Sequence, residues 1–336
     1  MKKSRLIAGI AALMLALTGC QSGSNQEGEA APDKVTIGLT YIPDVQFAPI
    51  YVAEANGYFD DAGLDVTIRH HGAQESLFGA LSSGEEDIVF AGAAEMVQAR
   101  SQGIDVVNWA TLYQTYPVVL ITSADSGIET PADLAGKSVG LPGPFGENYY
   151  ALLAMQDAYD LHDSMTVAYI GYTQTSALAT GEVDAIIGFS NNDVVAIENA
   201  GLEPVVIPMV EDGLPLIGVG FGSLEGSLDA DVQARFLHAV ELAVADAAAD
   251  TEGTMDIVTE HVPSLADETQ RELATQVLIK TLELYQGSEV FGQQDNQTWN
   301  DMVQFLYDSG ITETFVGADE AYTSEIVDLV LDMRAQ

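Results

Sequence analysis

From residue 34 onward, short apolar runs alternate with amphipathic ones. Residues 35–42 (VTIGLTYI) are β-branched and apolar, the composition of a strand. Residues 47–59 (FAPIYVAEANGYF) follow with helical spacing, and Gly57 ends that helix. Strands are then predicted at 65–71, 86–92 and 106–113, with helices at 75–84 and 93–103 between them. The pattern repeats. Strands are predicted at 116–123, 137–143, 166–172, 183–190 and 203–209, interleaved with helices at 130–136, 147–159, 175–181 and 192–201. Thr130 caps the first of these helices and Pro131 takes its first position, where a missing N–H costs nothing. Beyond about residue 225 the chain turns helical, at 229–250, 267–285, 298–310 and 319–335.

Strands that alternate with helices predict βαβ units and largely parallel sheets, hence an α/β fold. Two such units followed by helices predict two lobes, 34–120 with 221–336 and 121–220, separated by a cleft. Two crossings of the chain between lobes make a hinge able to close around a ligand. In open α/β sheets ligands bind outside the carboxyl ends of the strands. Those ends fall near residues 42–47, 91–95, 113–116, 142–148, 171–174 and 189–193.

The first residues carry a different pattern. Lys2, Lys3 and Arg5 precede a short apolar run at 6–17, and then come Leu17-Thr18-Gly19-Cys20. That order of parts is a secretory signal, and the run is too short for a comfortable membrane span. Leu-x-Gly-Cys at its end resembles a bacterial lipobox. Residues 1–19 are then a cleaved leader and Cys20 the lipidated first residue of the mature chain. Cys20 is the one cysteine among 336 residues, so no disulfide within the chain explains it. Residues 20–33 read as a flexible polar tether. The expected location is extracytoplasmic, with the membrane touched through the lipid anchor alone.

Acids outnumber bases 51 to 11, for a net charge of -40. Such a surface repels nucleic acid, which is excluded as a partner. The acids are scattered and form no calcium loop. The histidines lack metal-ligand spacing; His70 and His71 are adjacent, so on a strand they face opposite sides, as surface residues at a strand end. The run PGPFGEN lacks the ending of a P-loop and the spacing of a dinucleotide fingerprint, and no nucleophile elbow occurs. Neither a cofactor nor a catalytic group is predicted.

The loops at the strand ends are small, aromatic and amide-rich. They contain Asp44, Gln46 and Phe47; Gly92 and Glu95; Tyr116; Phe145, Gly146, Glu147, Asn148 and Tyr149; Tyr172 and Gln174; and Asn192. Aromatic walls with a few placed polar groups suit a planar, neutral heteroaromatic ligand. Phe47, Tyr116, Phe145 and Tyr149 are expected to stack on it. Asp44, Gln46, Glu95, Glu147, Asn148 and Asn192 are expected to hydrogen-bond it, helped by backbone N–H groups at Gly92 and Gly146. Between Arg100 and Arg235 the one Lys or Arg is Lys137, which argues against a dianionic ligand.

Four segments in order, 40–66, 81–103, 131–147 and 179–189, resemble a periplasmic-binding-protein-like family. It contains fungal thiamine-pyrimidine synthase, bacterial binders of thiamine-pyrimidine precursors, and related riboflavin and aliphatic-sulfonate binders. The runs Gly57-Tyr58-Phe59 with Gly63-Leu64, and Asp133-Leu134 through Gly140, carry the broader likeness. The resemblance implies a type II binding-protein fold. It also implies a monomeric, non-enzymatic receptor that hands its ligand to an ABC permease and its ATPase. Where the fungal synthase has its cofactor lysine and a histidine four residues later, this chain has Ala91 and Glu95. The synthase's cysteine-rich stretch corresponds here to GLPLIGVGFG, without cysteine. The first loop lacks the Asp-Trp and His of pyrimidine-precursor binders; its Pro-Asp-Val-Gln-Phe-Ala-Pro run and the Pro-Gly-Pro-Phe-Gly turn look more like the riboflavin branch. Riboflavin is therefore placed ahead of a thiamine pyrimidine precursor, with an aliphatic sulfonate or other small oxyanion third.

Overall fold

The computed structural model describes residues 31–72, 75–210 and 213–335. The predicted leader, Cys20 and most of the tether lie outside them. In chain order the strands are β1 (Asp33–Leu39), β2 (Leu64–His70), β3 (Ile88–Gly92), β4 (Val106–Thr111), β5 (Val118–Ser123), β6 (Ser138–Leu141), β7 (Thr166–Tyr169), β8 (Ala185–Phe189), β9 (Pro204–Ile207) and β10 (Val219–Leu224). They form two five-stranded sheets, ordered β2-β1-β3-β10-β4 and β7-β6-β8-β5-β9. In the first, β1 runs parallel to β2 and β3, with Ile37 opposite Ile68 and Ile88. In the second, β6 runs parallel to β7 and β8. The fourth strand of each sheet is antiparallel: β10 lies between β3 and β4, and β5 between β8 and β9. Both sheets thus share one topology, and each takes its antiparallel strand directly after the chain crosses from the other. This is the α/β fold of two lobes with a periplasmic-binding-protein arrangement.

Most predicted elements occur with shifts of a few residues, and the departures have physical causes. The helix expected at 47–59 is two, Ala48–Ala55 and Tyr58–Asp61, because Gly57 takes a left-handed φ of 77° between them. β10 was not among the predicted strands, since its sequence VGFGSL carries two glycines. They answer to space: a Cβ on Gly220 would stand 2.3 Å from the Ala110 carbonyl oxygen, and one on Gly222 2.7 Å from Met96 Sδ. The helix Thr251–His261 was also not predicted. The pattern at 319–335 splits into Ala318–Ala321 and Glu325–Arg334, where Tyr322 makes a bridge to Asn108 and the Thr323 N–H donates to the Asn108 carbonyl at 2.9 Å.

The first sheet buries its apolar positions under the helices Ala48–Ala55 and Ala230–Ala249, which pack on one another. Phe221 is the centre of this core, with ring centroids 5.2 Å from Trp109, 5.3 Å from Phe236 and 5.8 Å from Phe90. The second sheet's core takes in Trp299, Met302, Val303 and Leu306 from the helix Asn296–Asp308. It also takes Ala93, Ala94 and Val97 from the helix Ala93–Ser101, which follows β3 of the first sheet. Met96 and Ala99 of that same helix face first-sheet residues, so it is apolar towards both lobes. No helix among the described residues is long and apolar enough to cross a membrane.

Phe221→Ala removes an aromatic ring from a fully enclosed site, and should lower stability by about 3–5 kcal/mol, read as a reduced urea midpoint at unchanged slope.

Candidate ligand cleft

The carboxyl ends of β1, β4, β6, β7 and β8 meet around a cavity of about 400 Å³. Its aromatic lining is Tyr41, Tyr113, Tyr172 and Phe189, and its amide lining is Gln46, Asn148, Gln174, Asn191 and Asn192. Asp44 and Asp193 are its ionisable acids, and none of its lining residues is Lys, Arg or His. Tyr41 and Tyr172 are half or more exposed, at 50% and 83%, so their rings are free to receive a ligand.

The sequence positions these groups locally. Asp44 caps the turn Val45–Phe47: its Oδ1 accepts the Gln46 N–H at 3.1 Å. Tyr41 is fixed through its backbone. Its carbonyl lies 3.2 Å from His70 Nδ1, which must donate because a carbonyl only accepts. His70 Nε2, 3.0 Å from the Tyr51 hydroxyl, then accepts from it. Burial holds the His70 pKa below its ordinary value, as a neutral ring in this role requires. In the second lobe, Asn148 Nδ2 donates to the Ile187 carbonyl at 2.8 Å, in the middle of β8. Asn191 Nδ2 donates to Thr281 Oγ1 at 2.9 Å, which ties the β8 loop to the helix Glu268–Leu284. Asp193 Oδ2 accepts the Phe189 N–H at 2.7 Å.

Burial raises the pKa of both Asp44 and Asp193, since removing water penalises the charged form. It also pushes the Tyr113 hydroxyl up, with Asp44 adding to the effect. The cavity is therefore rich in hydrogen-bonding groups, its two acids are shifted towards the neutral form, and none of its lining residues is basic.

Behind this cavity lies a second polar group, shared by the two lobes. Glu95, in the helix Ala93–Ser101, accepts the Gly92 N–H through Oε2 at 3.1 Å, the backbone half of a capping box. Glu147, in the first turn of the helix Gly146–Tyr159, accepts the Tyr116 hydroxyl through Oε2. Its Oε1 is buried without a hydrogen-bond partner. Gly92 leaves room for it: a Cβ there would stand 2.0 Å from Glu147 Oε1 and 3.0 Å from Glu95 Oε2. Glu147 is pushed up to about 8, by burial first and by Glu95 second; burial raises Glu95 as well. A smaller cavity of about 300 Å³ opens beside this group, lined by Ser76, Phe78, Glu95, Gln98, Phe145, Gly146 and Tyr150 among others.

Of the residues singled out from the sequence, the structure brings Asp44, Gln46, Asn148 and Asn192 to the main cavity. Gly92, Glu95, Tyr116 and Glu147 form the group behind it. Phe145 and Gly146 line the smaller cavity, and Tyr149 lines a third, of about 230 Å³, with Pro144 and Phe145. Phe47 is not at the cavity; it is buried in the first core, edge-on to Phe90 at 5.6 Å. The aromatic walls are instead Tyr41, Tyr113, Tyr172 and Phe189. These stand in the same strand-end loops, but loop composition does not reveal which ring of a pair points outward. His71 departs too. It is buried, not at the surface, and its Nε2 lies 2.8 Å from buried Glu86 Oε1.

Comparison with known proteins follows the same outline. The family described as NMT1/THI5 like matches residues 44–253. The chain is 29% identical to the riboflavin-binding protein RibY of Chloroflexus aurantiacus, over 97% of this chain and 98% of that one. It is 23% identical to a formylaminopyrimidine-binding protein of Halalkalibacterium halodurans, over 96% and 99% of the two chains. Its fold is similar to that of the periplasmic aliphatic sulphonate binding protein SsuA of Escherichia coli, with a TM-score of 0.66 at 16% identity, over 86% and 91%.

Gly92→Ala would press a methyl group into the Glu147 carboxyl. Thermal unfolding should show a loss of about 1–3 kcal/mol, the usual cost of overpacking a filled site.

Proposed function

The chain belongs to the NMT1/THI5-like family, and from that premise we propose that it is the solute-binding component of an ABC importer, with a neutral heteroaromatic ligand. The observation that carries this reading is the main cavity: aromatic rings, five amides, two carboxyl groups that burial drives towards neutrality, and no cation among its lining residues. A planar ring system would lie against Tyr41 and Tyr172, with its edge groups facing the amides. Asp44 and Asp193, ionised or not, offer acceptors to ring N–H groups. An aliphatic sulfonate is the poorer fit, because two carboxyl groups and no basic side chain line the space its charge would enter. Riboflavin stands ahead of a thiamine pyrimidine precursor. The likeness to RibY runs almost the whole chain at higher identity than that to the formylaminopyrimidine binder, and the first-loop residues point the same way.

The remaining parts of the reading follow from the leader. Cleavage before Cys20 and its lipidation would hold a monomeric receptor at the outer face of the membrane, where it delivers ligand to a permease and ATPase. The tether 20–33 would leave it free to meet them. No reaction is assigned: Ala91 and Glu95 stand where the synthases of the resemblance carry their lysine and histidine.

Riboflavin is the test. In thermal unfolding of the chain lacking residues 1–20, riboflavin at 100 times its dissociation constant should stabilise the fold by about 2.7 kcal/mol. Tyr172→Ala should weaken binding by about tenfold, ~1.4 kcal/mol, in a fluorescence titration. A shift with aminopyrimidines alone would reverse the order of ligands, and a shift with sulfonates alone would reject the heteroaromatic reading. Cys20→Ser should move the protein from the membrane fraction to a soluble one.

A further inference from the structure

We propose that Glu95 and Glu147, one from each lobe, share a single proton when the lobes are closed, so that closure over a ligand takes up a proton and weakens as the surroundings turn alkaline.

The geometry is specific. Glu95 sits on the helix after β3 of the first sheet, and Glu147 on the helix after β6 of the second. Their facing oxygens, Glu95 Oε2 and Glu147 Oε1, both lie within 3.0 Å of the point where a Gly92 Cβ would stand. Glu95 Oε1 approaches the other lobe too, 3.9 Å from the corresponding point at Gly146. Among the described residues no cation acts on the pair: the charge acting on Glu147 is that of Glu95, and the other titratable groups facing the pair are the hydroxyls of Tyr116 and Tyr150. Both hydroxyls are pushed up by burial and by these carboxyls, so neither supplies charge. Two buried carboxylates so placed, with no cation between them, repel one another, which favours a proton on one of them. Glu147 Oε1, buried and unpartnered, is the natural seat of the proton. Its Oε2 accepts from Tyr116, in the segment linking β4 to β5, so the pair is also fastened to a crossing between lobes. Glu95 lines the smaller cavity, which gives the proton a way in and out.

The direction with pH follows. Apart from one another and in water, both acids have ordinary carboxyl pKa values near 4.5; together, Glu147 is held at about 8. A group whose pKa is raised in the closed form favours that form fully below its ordinary value. The advantage is lost as pH rises towards the raised value. Between about pH 4.5 and about pH 8 closure should take up as much as one proton, and ligand affinity should fall up to about tenfold per pH unit. The proton belongs to the pair, not to one residue.

The experiment uses the chain lacking residues 1–20, wild type beside Glu147→Gln and Glu95→Gln. Glutamine at 147 keeps an acceptor for Tyr116 and offers Glu95 an N–H, so it imitates the protonated pair without titrating. Calorimetric titration with riboflavin at pH 6.5, in buffers of different ionisation heat, should show about one proton taken up by the wild type and about none by Glu147→Gln. The affinity of that variant should be nearly flat from pH 5 to 8. Infrared spectra provide a second reading: the riboflavin complex should show a protonated-carboxyl band at pH 6.5 that the ligand-free protein lacks, lost near pH 8 and absent from Glu147→Gln. If riboflavin fails to bind, the ligand reading falls, and the same two measurements with whichever aminopyrimidine or sulfonate stabilises the chain decide. If the band is absent from the wild-type complex, or if affinity varies with pH equally in wild type and Glu147→Gln, the shared proton is overturned. Glu95→Gln should lower the pH at which the band is lost, a change that a merely structural role for Glu95 would not produce.

Discussion

Backbone hydrogen bonding at the middle of each sheet is what the rest of the molecule depends on. β5 leaves the first lobe and enters the second sheet between β8 and β9; β10 returns and enters the first between β3 and β4. Without the strand delivered by a crossing, each sheet would leave two rows of buried N–H and C=O groups unpaired. The registers have a further consequence. Val118 at the start of β5 pairs with Phe189 at the end of β8, and Val219 at the start of β10 with Gly92 at the end of β3. Both crossings therefore end at the carboxyl edge of the parallel strands, the same edge that holds the cavity. Hinge and cleft are adjacent by construction, and Tyr113 and Tyr116 stand on one crossing while Val219 follows the other.

The chemistry of that edge contrasts with the surface. A chain with a net charge of -40 would be expected to place acids in its cleft by chance, yet burial changes what those acids are. Asp44 and Asp193 are driven towards the neutral form by lost solvation, and their hydrogen bonds from backbone N–H groups only partly offset this. The cavity thus offers directional hydrogen bonds and no basic side chain that would draw in an anion. Selectivity is left to the shape of the cavity and the pattern of its hydrogen-bonding groups.

The order of elements was legible because hydrophobic periodicity is local. Strand and helix alternation from 35 to 209 carried both lobes, and the strand-end loops located the cavity before any side chain was placed. What was not legible depended on distant partners. β10 is a strand because Gly220 and Gly222 let its backbone close on Ala110 and Met96, more than a hundred residues earlier; read alone, those glycines suggest a loop. Phe47 and Tyr41 share one loop, but the approach of Phe90 draws Phe47 into the core while His70 holds the backbone of Tyr41 at the rim. Glu95 and Glu147 were read as ligand contacts, since one sequence does not reveal that each is the other's neighbour.

That neighbourhood sets an energy scale for closure. Taking two carboxylates out of water together costs several kcal/mol per ion, and no basic side chain among the described residues acts on them in compensation. Holding one proton between them removes most of the repulsion but leaves the desolvation, so the pair makes closure harder than an apolar contact in the same place would. The helix Ala93–Ser101 presents such an apolar contact beside it, through Ala93, Ala94 and Val97. The two act in opposite directions on the same motion. A receptor must be near balance between open and closed forms, because a ligand shifts an equilibrium only by its differential affinity for the two states. An all-apolar interface would favour the closed form without ligand and block the cleft, whereas two uncompensated charges would forbid it. An apolar helix face with one protonatable pair at its end provides the intermediate, and places its adjustable component beside a crossing of the chain between the two sheets.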